Sequence, residues 1–574
     1  MRVLRYASLV ATLAAMRTEG ARPSLRLTLT PVFNGPNQAV STVNLTLELR
    51  DESARAGRPL LTMGLNNGAT PTQRYDGDAL AAFDASGVLP VSYTDTNASN
   101  AQRTWAPARD PVGAITVRFV AVPREASTAT GAGPRIDLKK ERGGVVGQGS
   151  GFIPYPPDSA EWDLHIDWVL PASAPAGTTA ASAFGDGPSE SDVGVPSKTL
   201  AKAYFAVGPL QRITPPPPSG SSSSDPTHRP EKDRVFAVYW MGAFPWPMDS
   251  VAATSRRLVS AIADFFGDHS SPFRVFVRSA AAGVGGAGGY RSFLLEYTPG
   301  IEAEYDEDVL TNFLVAHESV HNYALMYPTR QYDAWYREGV ANYYAGVAPF
   351  LAGAVDRAYL ARWLNNYAQA YYTGPGVDWT WQYVLDHFWT TDAVKTPYAR
   401  GFVYVAAVQG LVAAATGGRK GADDVVRELY RRYVAGEVVQ SEQFLQVLAD
   451  LVGKETADAS FGALLNGTLI VPPADGLAKF GLKMVRKDAE RFELGYTVTL
   501  VGGKPSVAVQ RGSRAEAAGL RDGDEYVRAW GFWNAGDALD RMMQVVVRRE
   551  GREVPIKYWP RAFEKVENWM WVDA

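Results

Sequence analysis

Between Ile213 and Pro226 the chain reads I-T-P-P-P-P-S-G-S-S-S-S-D-P. Four consecutive prolines fix φ and favour an extended polyproline segment, and the glycine and serines after them are flexible, so this is not the sequence of a packed core. It divides 574 residues into two halves written in different periods. Before it, runs such as S-L-R-L-T-L-T, V-N-L-T-L-E-L, A-I-T-V-R-F-V-A-V and W-D-L-H-I-D-W-V-L alternate apolar and polar residues and are punctuated by Gly, Pro and Asn. Period-two alternation in short runs predicts an antiparallel β-sandwich. After it, R-V-F-A-V-Y-W, F-R-V-F-V-R and S-F-L-L-E-Y read as strands. V-A-A-T-S-R-R-L-V-S-A-I-A-D-F-F reads as a helix between the first two, and the pattern turns helical from Asp306 to about Val452. The predicted architecture is multidomain α+β. It comprises an N-terminal extension or weak signal (1–24), a β-sandwich (25–212), a Pro/Ser-rich linker (213–232), a domain made of a small sheet plus a helical subdomain (233–472) and a C-terminal module (473–574).

Composition narrows the chemistry. There is no cysteine, so disulfides, thiolate zinc sites and cysteine nucleophiles are excluded together, and any metal must be held by His, Asp or Glu. The formal net charge is −4 with no long run of one sign, which leaves no electrostatic footprint for nucleic acid. The sequence predicts no membrane span, because no apolar run reaches the roughly 20 residues a bilayer requires. The apolar stretch Tyr6 to Met16 is followed by Arg17 and Glu19 without a clean small-residue cleavage site. Compartment is therefore left open, with an intracellular location slightly favoured over secretion.

Of six histidines, two stand in V-A-H-E-S-V-H-N-Y-A-L-M. Apolar residues at Leu310, Phe313, Leu314, Val320, Ala324 and Leu325 have helical spacing and place His317 and His321 on the inward stripe. A spacing of four brings both imidazoles to one side of a helix, where their nitrogens converge on one ion. Glu318 lies beside them, within reach of a zinc-bound water. Zinc lowers that water's pKa and polarises a carbonyl, while the glutamate takes the proton and passes it to the leaving amine. Pro328 is expected to end this helix, and Asp333 to cap a second one, D-A-W-Y-R-E-G-V-A-N-Y-Y-A-G. There Glu338 supplies a third ligand, completing the His-His-Glu set of a catalytic zinc, one per chain, and Gly339 lets two helices approach closely. Asn342, four residues on, is a candidate to orient a ligand histidine. His165, in a strand-like run, reads as structural.

H-E-x-x-H followed by W-x-x-E-G-x-x-x-Y-Y, here Trp335 to Tyr344, resembles the glycyl aminopeptidase family of metallopeptidases. These are thermolysin-like gluzincins with a β-rich N-terminal domain and a C-terminal PDZ domain. The resemblance spans about residues 25 to 565. It departs from the family at Tyr323, often Trp there, and in the short gap between His321 and Glu338. It implies a zinc peptidase acting on a peptide or unfolded-protein substrate. P-Y-A-R-G-F-V-Y, Pro397 to Tyr404, resembles the family's Tyr-x-Lys-Gly element with Arg400 in the lysine's place, which makes Tyr398 the oxyanion donor; His387 is a weaker competitor. In this fold the strand before the zinc helix borders the cleft, so Gly286, Gly288 and Gly289 are candidates for a bare backbone edge that pairs with substrate. The family often places a glutamate after such glycines to hold a substrate's free amine; Tyr290 and Arg291 stand there instead, leaving amino- and endopeptidase open. Glu296 and Glu302 are the remaining candidates for an amine anchor. V-x-V-x-x-G-S-x-A-x-x-A-G-L-x-x-G-D, Val507 to Asp524, looks like the core of a PDZ domain and implies a peptide ligand bound by β-augmentation. The competing reading is a catalytically inactive PDZ-containing adaptor that keeps a structural zinc helix.

Overall fold

The computed structural model describes residues 22–574 apart from 36–37, 68–69, 97–100, 126–135, 158–159, 217–234, 270, 281–283, 299–313, 389 and 531–538. It divides into two compact units, one ending at Pro209 and the other running from Leu210 to the C-terminus.

In the first unit the alternating runs form a seven-stranded sheet. Its order is Ser189–Pro196, Glu161–Trp168, Ser24–Asn34, Ala39–Arg50, Ile115–Ala121, Leu80–Asp84 and Gly87–Leu89. Leu25, Leu27 and Leu29 are fully buried, as the period of two requires. A four-stranded and a three-stranded sheet share their core through Val145, Phe205 and Trp105. The sheet departs from the antiparallel expectation at one ladder: Ser24–Asn34 pairs parallel with Glu161–Trp168, whose partner strands are far apart in sequence. His165 lies opposite Arg26 in that ladder.

The second unit begins with Leu210–Ile213, which pairs antiparallel with Phe236–Met241, so the sandwich stops short of residue 212. Five strands follow the order Leu210–Ile213, Phe236–Met241, Phe273–Ser279, Ser292–Tyr297 and Val284–Gly289, with helix Met248–Phe265 packed against Val238, Val275 and Phe293. The glycine-rich strand Val284–Gly289 is therefore at an edge.

A large core then gathers the helices from Ala316–Val320 to Lys454–Asn466. The longest, Thr391–Thr416, holds a stretch that meets the length and apolarity of a membrane span, which the sequence reading missed; 72% of it is buried in this core. Gly339 and Gly401 mark where Thr391–Thr416 crosses helix Ala334–Leu351. A Cβ on Gly339 would lie 2.4 Å from the Gly401 carbonyl carbon, so the close approach read from Gly339 holds and needs a second glycine facing it.

The expected boundary at residue 473 is not clean. Leu482, Met484 and Trp571 are buried in the helical core, and Asn365 clasps Trp571 through both backbone groups, at 2.8 and 2.7 Å. Between them, Tyr496–Val501 to Arg552–Tyr558 form a five-stranded antiparallel meander with a small core of its own. The strand, turn, short helix and strand read from Ser506 to Val527 are present. Among the described residues of this module the one α-helix is Arg514–Ala517, too short to wall a peptide groove, so a PDZ fold is not shown.

Candidate metal centre

His317 belongs to the single-turn helix Ala316–Val320 and is 6% exposed. The helix stops at Val320, eight residues before Pro328 and earlier than the proline argument placed it, and the part of it expected before Leu314 lies outside the described residues. His321 follows directly, still right-handed at φ −62° and ψ −12°, so the spacing of four survives the helix end. The two Nε2 atoms lie 3.1 Å apart. Glu338, on helix Ala334–Leu351, brings Oε2 to 3.5 Å from His317 Nε2 and 3.4 Å from His321 Nε2.

These distances test the donor set. An ion bound tetrahedrally at about 2.0–2.1 Å spaces its ligands by roughly 3.3–3.4 Å, and the three edges here bracket that value. Asn342, fully buried on the same helix as Glu338, donates from Nδ2 to the Tyr398 carbonyl (3.1 Å), which turns its Oδ1 toward His317 Nδ1 at 2.7 Å. That oxygen only accepts, so the His317 proton sits on Nδ1 and the Nε2 lone pair faces its neighbours. Glu338 Oε2 is buried and receives no hydrogen bond. Two nitrogens and a carboxylate oxygen left in this state fit a borderline divalent cation, and zinc in particular. Burial opposes charge on Glu338, but His321 and His317 outweigh it and hold its carboxyl below the usual carboxylate range. Burial likewise opposes charge on His321, and Glu338 more than offsets it, raising the imidazole.

The fold has solved counterparts. An aminopeptidase N family protein from Idiomarina loihiensis superposes with a TM-score of 0.62 over 96% of this chain and 98% of that one, at 13% identity. An M1 zinc metallopeptidase from Deinococcus radiodurans, bound to Tyr-Ser-Ala, gives 0.45 at 16% identity over 79% and 94% of the two chains. Leukotriene A4 hydrolase from Saccharomyces cerevisiae gives 0.46 at 14% identity over 79% and 70%. No family model and no curated protein matches the sequence. The first likeness covers nearly all of both chains and gives the fold; glycyl aminopeptidases and PDZ domains are not among these counterparts.

Around these three candidate ligands the structure gathers most of the remaining candidates. Glu318 Oε2 accepts the Gly288 N–H at 2.8 Å, which ties the edge strand Val284–Gly289 to the helix that carries His317 and leads into His321. A Cβ on Gly288 would sit 3.3 Å from Glu318 Oε2 and 3.5 Å from His321 Cβ, so an added side chain would press on the Glu318 carboxylate. Gly286 has another reason: its Cβ would enter the Phe293 ring at 2.2 Å, a packing requirement. Gly289 pairs with Ser292 at the hairpin end. Tyr398 stacks on His317 with centroids 5.8 Å apart. The residue is 36% exposed, yet burial of its hydroxyl and the nearby Glu338 and Glu318 carboxylates raise its pKa well above the ordinary phenol value, keeping it a donor. Tyr398 lies inside helix Thr391–Thr416.

Other residues play parts different from those expected. Asp333 sits at the start of Ala334–Leu351, but its carboxylate is taken by Ser441 N–H (3.1 Å), Ser441 Oγ (2.6 Å) and Arg330 (2.8 Å), so it makes no cap bond. Tyr323 stacks on Phe266 at 4.8 Å and donates to Asp268 at 3.0 Å. Arg400 is fully buried and donates to the Leu464 and Gly376 carbonyls, so it ties helices rather than facing the site. His387 packs on Tyr383 at the surface. Glu296 is 1% exposed and bonded to Arg278 at 2.6 Å, which removes it as an amine anchor; Glu302 lies outside the described residues. Sequence reasoning missed Asn322, whose Oδ1 accepts the Arg291 N–H at 3.1 Å and fixes the hairpin turn of the edge strand to the metal segment.

Proposed function

We propose that this protein is a zinc-dependent metallopeptidase. The observation that carries the reading is the convergence of His317, His321 and Glu338 at tetrahedral edge lengths, with Glu318 held beside them by the Gly288 backbone. Zinc, when bound by those three residues, supplies Lewis acidity toward water and toward the scissile carbonyl. Glu318 accepts the proton of the attacking water and returns it to the leaving amine. Gly288 N–H donates to one oxygen of that carboxylate, keeping it oriented and leaving the other for the proton. The Tyr398 hydroxyl donates to the oxygen on which negative charge develops, and its raised pKa keeps the proton in place. Asn342 holds His317 in the tautomer that ligates.

The substrates are short peptides or unfolded segments, laid along the edge strand. No carboxylate stands in that strand and Glu296 is bound to Arg278, so among the described candidates none anchors a free substrate amine, which supports cleavage of blocked as well as free peptides. The finer resemblance, to glycyl aminopeptidases with a PDZ module that binds a peptide, rests on the sequence patterns Trp335 to Tyr344 and Val507 to Asp524. The test is digestion of a peptide library by the zinc-loaded protein, with matched acetylated and free N-termini. Zinc-dependent cleavage that is lost in Glu318→Gln and is similar on both termini is the expected result. Zinc uptake without turnover by the intact protein would favour the adaptor instead.

A further inference from the structure

The segment that carries the two histidines uses one spacing twice. His317 and His321 converge on the metal position, and one residue later Glu318 and Asn322 repeat the interval of four, about 100° around the same turns. The backbone stays wound far enough to keep this second stripe together, since the Asn322 N–H still donates to the Ser319 carbonyl at 3.2 Å. Both members of the stripe end on the hairpin of the edge strand: Glu318 on the Gly288 N–H at 2.8 Å, Asn322 on the Arg291 N–H at 3.1 Å. The Asn322 amide is fixed at both ends, because its Nδ2 donates to the Ser319 carbonyl at 3.2 Å and so turns Oδ1 to the hairpin.

The hairpin needs such a hold. Gly289 pairs with Ser292, which leaves Tyr290 and Arg291 as a two-residue turn. Turns of that length match the twist of their strands when φ is positive at both residues or at the first, and those places favour Asn, Asp or Gly. Here the second residue is the one with positive φ, +44°, and it is an arginine. A residue with a side chain persists in that region where its surroundings over-determine it. The backbone of Arg291 is taken on both sides, its N–H by Asn322 and its carbonyl by the Arg274 N–H of strand Phe273–Ser279 at 3.1 Å. Arg274 belongs to the same sheet as the hairpin; Asn322 ties the turn to the metal segment.

We propose that Asn322 is a positioning residue for the base: it holds the turn at Arg291 so that Gly288, three residues back, presents its N–H to Glu318. This inference rests on the peptidase reading and deepens it by naming what keeps the base in place. Asn322 acts through the hairpin and not on the reacting atoms. Without its oxygen the Arg291 N–H loses a partner, the strained turn relaxes, and the Gly288 N–H leaves the Glu318 carboxylate.

The experiment reads the two hydrogen bonds and the turnover separately, on the full chain before and after loading with zinc. Amide hydrogen exchange, resolved to single residues by mass spectrometry with electron-transfer fragmentation, follows Gly288 and Arg291. Asn322→Ala should speed exchange at both amides by about tenfold, Gly288 included although its own acceptor is untouched. Its kcat on a library peptide should fall about tenfold with KM changed by less than about twofold and zinc content unchanged. Asn322→Asp, which keeps an acceptor for Arg291, should restore most of the protection and of kcat, and thermal melts confirm that both variants fold. In a Gly288→Ala background, where Glu318 is already displaced, adding Asn322→Ala should lower kcat by less than about a further twofold. Faster exchange at Arg291 with Gly288 still protected would overturn the proposal, as would losses that multiply in the double variant or a fall in kcat that follows loss of zinc. Coupled exchange at both amides in a protein that cleaves nothing would support the Asn322 assignment while contradicting the peptidase reading.

Discussion

Helix Ala334–Leu351 and strand Val284–Gly289 both serve the metal centre, by opposite means. The helix buries fourteen of its eighteen residues and delivers side chains: Glu338 to the metal position, Asn342 to His317. The strand has four glycines in six residues and delivers backbone, the Gly288 N–H to Glu318. Ligation needs rotamers locked by packing, so it is built where the core is densest. Under the proposed function, holding the base and approaching a peptide needs close main-chain contact, which fits a strand where side chains are missing. The difference teaches that the two elements should fail in opposite ways, the helix when a side chain is removed and the strand when one is added.

The largest expected effect removes the group on which they meet. Glu318→Gln keeps the shape and a hydrogen-bond acceptor for Gly288 but cannot take a proton, so kcat should fall by about a hundredfold or more with zinc content unchanged, read from initial rates and metal analysis. On the helix, Asn342→Ala frees the His317 ring and strips a buried hydrogen bond from the Tyr398 carbonyl. Zinc affinity should drop roughly 10- to 100-fold, measured by chelator competition. Gly339→Ala places a methyl against the Gly401 backbone and should cost about 1–3 kcal/mol in denaturant unfolding, a site where the helix resembles the strand in rejecting a side chain. On the strand, Gly288→Ala should lower kcat about tenfold by displacing Glu318, while Gly285→Ala, whose added Cβ meets nothing within 4 Å, should change stability by less than about 0.5 kcal/mol. If both strand variants behave alike, the edge acts by flexibility and not by contact.

The helix was legible in the sequence and the strand largely was not. Trp335, Val340, Ala341, Tyr344 and Ala345 carry a helical apolar stripe, and Glu338 and Asn342 stand out against it as polar residues that a core keeps only for a partner. Glycines carry no such period. The sequence marked Gly286, Gly288 and Gly289 as one edge, whereas the structure gives Gly286 to Phe293 and Gly288 to Glu318. Pro328 misplaced the end of the histidine helix because a proline marks where a helix can no longer run, not where tertiary contacts stop it; Tyr327 is instead tied by its backbone to Val439. The clean C-terminal boundary failed for a similar reason. Trp571 is a single aromatic residue far along the chain, and nothing local says that it belongs to the core of helix Arg357–Tyr372.

The central claim is that His317, His321 and Glu338 hold one zinc. It is tested most directly by atomic emission on the purified protein after dialysis against a trace of zinc, alongside His317→Ala and Glu338→Ala. The predicted result is one zinc per chain in the intact protein and a small fraction of that in either variant, with the fold retained by circular dichroism. Full zinc content in His317→Ala, or none in the intact protein, would contradict it.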